Sequence, residues 1–125
     1  MMINIDRKVE LDQTVIERLC KLLGYIQTWH FYTTSGYQHT EVDPVVFYEK
    51  VHTFVEALLI NKSTRNLNMV IIPPPSTIEL GDFRRELDEV LAYLEDVNNY
   101  PRGVAHILDD ISQYLTEMRY KIGMS

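Results

Sequence analysis

An all-α fold, a four-helix bundle with one long irregular connection, is predicted by three observations. Apolar residues recur at three- and four-residue steps in four separate stretches, the period of a helix with one buried face. Two short turns and one long interruption separate these stretches. The interruption contains Pro73-Pro74-Pro75, which cannot continue a helix and favours an extended path. The 125 residues form one domain, 1–125, large enough to bury a core, with no internal repeat and no low-complexity tract.

Residues 1–10 read as a tail, within which Met2-Ile3-Asn4-Ile5 alternates as a short strand would. The first helix is expected over residues 12–36, starting near Asp12 or Thr14. Its row is Val15, Leu19, Leu22, Leu23 and Ile26. His30 continues that row, four residues after Ile26, and is expected to point inward. Thr33 to Thr40 gathers Thr, Ser and Gly, which weaken a helix, and His39 falls in or just past this turn.

The second helix is expected over residues 44–60. Asp43 can cap it and Pro44 can take the first helical position, where a missing N–H costs nothing. Val45, Tyr48, Val51, Val55, Leu58 and Leu59 follow at helical spacing. Residues 61–76 form the long connection. Two placements would cover its apolar half, Met69–Ile72: packing across the bundle or a partner chain, or pairing with Met2–Ile5 as a small sheet.

The third helix is expected over residues 77–97. Ser76-Thr77-Ile78-Glu79 matches a capping box, and Leu80, Phe83, Leu87, Val90, Leu91 and Leu94 give the stripe. The fourth, over residues 102–122, has the most regular period: Val104, Ile107, Leu108, Ile111, Leu115, Met118 and Ile122.

Composition excludes several classes of function. A formal net charge of −6, from 18 acidic and 12 basic side chains, repels phosphates and argues against autonomous nucleic-acid binding. Arg84-Arg85 and the Arg119/Lys121 tail are the candidate basic patches, and both are short. No apolar run approaches the about 18 residues a membrane span needs. The first residues lack a signal peptide's apolar block, and the single cysteine, Cys20, permits no intrachain disulfide. A cytoplasmic location and a buried, unreactive thiol are expected. There is no Gly-rich phosphate loop, and Ser35-Gly36 is not set in a nucleophile elbow.

One constellation stands out. Three of the four histidines lie between Trp29 and Glu56. Glu49, His52 and Glu56 fall within an arc of roughly 60° on the second helix. With His30 and His39 they offer imidazole and carboxylate ligands suited to iron, zinc or manganese. Glu49-Lys50-Val51-His52 is a Glu-x-x-His pair, as used in dimetal carboxylate bundles. The plain alternative is that His30 hydrogen-bonds a backbone carbonyl or Glu49, and His52 pairs with Glu56. His106 has no Glu three residues before it, which disfavours a symmetric dimetal core drawn from all four helices. Asp109, Asp110 and Glu117 read as the solvated side of the fourth helix.

Trp29-His30, then His39, then His52-Thr53-Phe54-Val55-Glu56 resembles the signature of Dps-type miniferritins: a Trp-His near the end of the first helix, a second His at the turn, and Asp-x-x-x-Glu on the second helix. The segment His30 to His39 is more similar still to small uncharacterised ferritin-like proteins of large phages and DNA viruses. The resemblance covers roughly residues 15–60 of the chain. It implies a ferritin-like bundle that is at least a dimer, in host cytoplasm or virion. His30 and His39 of one subunit would meet Glu56 of another around a divalent metal, iron or zinc. Two departures bear on the chemistry. The His-to-His spacing is shorter than in typical members, and His52 stands where the family has Asp. A neutral imidazole in place of a carboxylate weakens Fe(III) retention and favours zinc or another divalent ion, which weighs against ferroxidase turnover. The alternative is a non-enzymatic structural or interaction protein: a virion or scaffold component, or an inhibitor of a host protein. The 69–75 segment is the candidate contact for a protein partner.

Overall fold

A computed structural model describes residues 2–34, 43–61, 67–97 and 100–123. Four α-helices account for most of them: α1 (Met2–Thr34), α2 (Pro44–Asn61), α3 (Leu80–Asp96) and α4 (Arg102–Gly123). No strand occurs among the described residues. No helix is long and apolar enough to cross a membrane.

The side-chain partners give the direction of each helix. Thr28, near the end of α1, holds the carbonyl of Pro75, and Trp29 packs on Phe83 at 5.2 Å, so α3 begins where α1 ends. Arg18 then meets Glu89, and Asp12 meets Tyr100, so α3 runs back along α1. α4 runs antiparallel to α3, since Arg84 reaches Ile122 and Asp88 reaches Arg119. It runs antiparallel to α2 as well, through Lys50 to Asp110 and Asp43 to Tyr114. Each helix therefore has two antiparallel neighbours. α1 and α4 point one way, α2 and α3 the other, and each parallel pair lies on a diagonal.

Because α2 and α3 are parallel, the chain must travel the length of the bundle between them. Residues 67–79 make this return as a strap lying along α1, outside any helix or strand. Leu67 is buried at its start. Gln13 and Asn68 exchange two hydrogen bonds, with the Gln13 amide nitrogen donating to the Asn68 carbonyl at 3.0 Å and its oxygen accepting from the Asn68 N–H at 3.2 Å. Thr28 Oγ1 donates to the Pro75 carbonyl at 2.8 Å. Between these pins Pro74 crosses α1 at Gly24.

Four expectations are corrected. Residues 2–10 are not a tail or a strand but the first turns of α1, which therefore begins at Met2. No proline or glycine precedes Gly24, so nothing stops a helix, once nucleated, from extending back to the start. The sheet with Met69–Ile72 is thereby excluded, and the strap instead packs across α1. The third helix starts at Leu80 rather than residue 77. Its N-cap is Glu79, with no side-chain capping bond, so the Ser76–Glu79 box does not form. The prolines and the Thr28 tether hold 76–79 outside the helix.

The fourth correction concerns the rotation of α2. Asp43 caps it as expected, its Oδ1 accepting from Val45 N–H at 2.9 Å. Its buried residues are Phe47, Val51, Phe54, Val55 and Leu58, whereas Val45 and Tyr48 are exposed. The two phenylalanines turn the helix by roughly 60° from the face expected for it. They bury more apolar area than the valine and tyrosine they displace. α4 follows its expected row, with Val104, Leu108, Ile111, Leu115, Met118 and Ile122 all buried.

Candidate functional site

The rotation of α2 decides where the candidate ligands stand. Glu49, His52 and Glu56 share one side of the helix, and all three face outward. His52 Nδ1 lies 2.9 Å from Glu56 Oε1, with the side chains 53% and 60% exposed. On its other side the imidazole stacks on the Tyr48 ring, centroids 6.2 Å apart and planes 16° apart. The imidazole is thus held by one neighbour a turn before it and one a turn after.

Glu49 lies at the edge of this seam. It borders an open groove of about 490 Å³ between α2 and α4, with Lys50, Thr53, His106, Asp109 and Asp110. Lys50 Nζ donates to Asp110 Oδ2 at 2.8 Å and sits over the Tyr114 ring. Thr53 Oγ1 donates to the Glu49 backbone carbonyl.

His30 is half-buried near the end of α1. Tyr48 lines one recess under the strap together with Cys20, Leu23, Gly24 and Gln27 of α1. Because α1 and α2 run antiparallel, His52, one turn past Tyr48, lies toward the start of α1, whereas His30 lies past Gln27 toward its end, so the single chain sets the two apart along the bundle. His39 lies outside the described residues. Among the described residues no group of three or more His, Cys, Asp or Glu side chains is placed to hold a metal ion within one chain. The single chain thus brings together one bidentate pair, His52 with Glu56, and sets Glu49 beside it.

Cys20 is buried beneath the strap, and burial raises its thiol above the ordinary range.

Two buried polar residues fall outside the periodicity argument. Asp12 accepts a hydrogen bond from the Tyr100 hydroxyl at 2.9 Å, and burial followed by the Asp12 charge pushes that phenol far up. Glu86 is only 4% exposed. Burial raises its carboxyl above the usual range, partly offset by the Arg18 guanidinium at 3.5 Å. Its Oε2 has no hydrogen-bond donor. A signal for both exists in the sequence. Asp12 stands in register with Val15, Ile16 and Leu19, and Glu86 with Phe83 and Val90, so each was due to face the core.

Compared with family models, curated proteins and solved structures, the chain matches none.

Proposed function

We propose that the chain is a ferritin-like bundle that assembles with copies of itself and holds a divalent cation, iron or zinc, between subunits. Its ligands come from His30, His39, Glu49, His52 and Glu56. The observation that carries this reading is the His52–Glu56 pair: two metal-ligand side chains already adjacent on an open helix face, with no group of three such ligands formed among the described residues. The connectivity supports the fold half, since one long crossover joining two antiparallel helix pairs is the arrangement of ferritin-like bundles. Imidazole and carboxylate together suit zinc, iron or manganese rather than calcium or magnesium.

The experiment is elemental analysis of the purified protein with its native mass, followed by calorimetric titration of the metal-free form with Zn(II) and Fe(II). Saturable heats that disappear in a His30→Ala/His52→Ala double variant are expected. Unchanged heats in that variant would remove the proposal. Oxygen consumption during Fe(II) addition is expected to be weak or absent, because His52 brings no negative charge to the ion.

A second reading, a structural or interaction protein without metal chemistry, is favoured by one observation. Ile71 on the strap, Phe31 on α1 and Ile60 on α2 are all largely exposed. In this reading they are the apolar side chains that a partner chain would cover. An assembled protein that binds no divalent ion would establish this reading over the first.

A further inference from the structure

We propose that α2 is a self-complementary docking helix. Two copies of the chain pack antiparallel through its outer face, about a two-fold axis near His52. They close there a four-ligand site for one divalent cation of the zinc class, from His52 and Glu56 of each copy. The proposal rests on the inter-subunit metal reading above and narrows it, since it places the ion on a symmetry axis and leaves His30 outside.

The outer face of α2 is a stripe: Val45, Tyr48, Glu49, His52, Glu56 and Ile60, spread over roughly 120°. Each is exposed. The order is close to palindromic. Val45 lies seven residues before His52 and Ile60 eight after it, and they are 62% and 83% exposed. In a two-fold contact residue i meets j and j meets i. An antiparallel pair centred near His52 therefore sets Val45 of each copy against Ile60 of the other, roughly 11–12 Å from the axis on both sides. Apolar ends would be buried twice, and the polar centre would face itself.

That centre needs a cation. Glu49 and Glu56 from two copies bring four carboxylates together, and the stripe holds no lysine or arginine. Lys50, the nearest base, points to the other side of α2, paired with Asp110. Like charges oppose the contact, and one divalent ion neutralises the two Glu56 carboxylates while the two Glu49 carboxylates stay at the solvent edge of the contact. Two residues four apart on a helix can chelate one ion, as paired ligands at that spacing do in helical zinc sites. The 2.9 Å between His52 Nδ1 and Glu56 Oε1 needs to open only to roughly 3.3 Å, the edge of a tetrahedron with zinc-length bonds. Two imidazoles and two carboxylates then balance the charge of one divalent ion. Tyr48 holds each imidazole from behind.

The test is light scattering and zinc titration of metal-free protein. Without metal the chain is expected at 14.7 kDa, its monomer mass. Zn(II) is expected to double the mass at one ion per two chains. Co(II) in its place should give the strong visible absorption of a four-coordinate tetrahedral ion. His52→Ala and Glu56→Ala should each weaken zinc-driven dimerisation by tenfold or more. Val45→Asp should weaken it similarly while leaving the His–Glu pair in place, and His106→Ala, at an exposed position on α4, should leave it unchanged. All four positions avoid the core, so helical circular dichroism checks that the variants fold. Zinc bound at one ion per chain and lost with His30→Ala would overturn the axial arrangement and leave the broader metal reading standing. Zinc bound with no change in mass, or dimerisation untouched by Val45→Asp, would also overturn it. No heat with any divalent ion would overturn both.

Discussion

Pro74 lies directly over Gly24. A Cβ at Gly24 would stand 3.3 Å from the Cα and Cβ of Pro74 and 3.4 Å from the carbonyl oxygen of Ile72. Glycine inside a helix ordinarily costs about 1 kcal/mol relative to alanine. Here it gives the strap room to cross α1. Gly24→Ala is expected to recover little of that 1 kcal/mol, because the strap is pinned on both sides of the crossing. Gly24→Leu has to lift it, at about 1–3 kcal/mol for overpacking. Urea unfolding of the two variants checks this. A full alanine gain, or a tolerated leucine, would mean that the strap yields freely.

The Thr28 tether has its own consequence. Thr28→Val keeps the shape of the side chain and removes the 2.8 Å hydrogen bond to the Pro75 carbonyl. The expected loss is about 0.5–1.5 kcal/mol, the net worth of one such bond. Limited proteolysis should show faster cleavage within 67–79 and little change elsewhere. Equal protection of the strap in variant and parent would show that the Gln13–Asn68 pair, buried Leu67 and the prolines hold it without Thr28.

Glu86 predicts a pH dependence. Its folded pKa is raised, by burial first, above the value in the unfolded chain. Its contribution to stability is therefore fully present below the ordinary carboxylate range and is lost as pH rises through the raised value. Glu86→Gln removes this dependence. The variant should gain relative to the parent between mildly acidic and neutral pH, where the parent carries the buried charge. Urea midpoints measured at several pH values check it. A variant less stable than the parent at neutral pH, with an unchanged slope, would show that the Arg18 ion pair outweighs the burial cost.

Tyr100→Phe should be costly for a single-atom change. It removes the hydroxyl that donates to buried Asp12 at 2.9 Å, a bond to a charged group worth about 1.5–3 kcal/mol. Thermal and urea unfolding measure the loss. Spectroscopic titration of the parent should show one phenol that stays protonated well beyond the others, because burial and the Asp12 carboxylate both disfavour phenolate. A loss below 0.5 kcal/mol, of the order of a typical surface change, would place this pair outside the stabilising core.

Which segments become helices was written in local patterns. The row from Val104 to Ile122 lies buried as its period demands, and Asp43-Pro44 starts α2 where cap chemistry places it. These signals need only a few neighbouring residues, so one chain read in order contains them. Local patterns did not tell which of two overlapping faces of α2 would turn inward. Val45 and Tyr48 compete there with Phe47 and Phe54. The outcome depended on distant neighbours: Phe47 stacks on Tyr114 of α4, and Phe54 meets Tyr100, just ahead of α4, edge-on. That choice placed Glu49, His52 and Glu56 on the outside of the bundle.

The sequence by itself therefore determined four helices, most of their buried residues, and the presence of a histidine-and-carboxylate seam on α2. Only the tertiary structure decided that α2 and α3 run parallel, that the strap returns over Gly24, and that Asp12 finds Tyr100 across 88 residues of chain. The physical reason is range. Periodicity and capping act within a turn or two, whereas a side chain's exposure and partners are set by helices that fold against it from far along the chain.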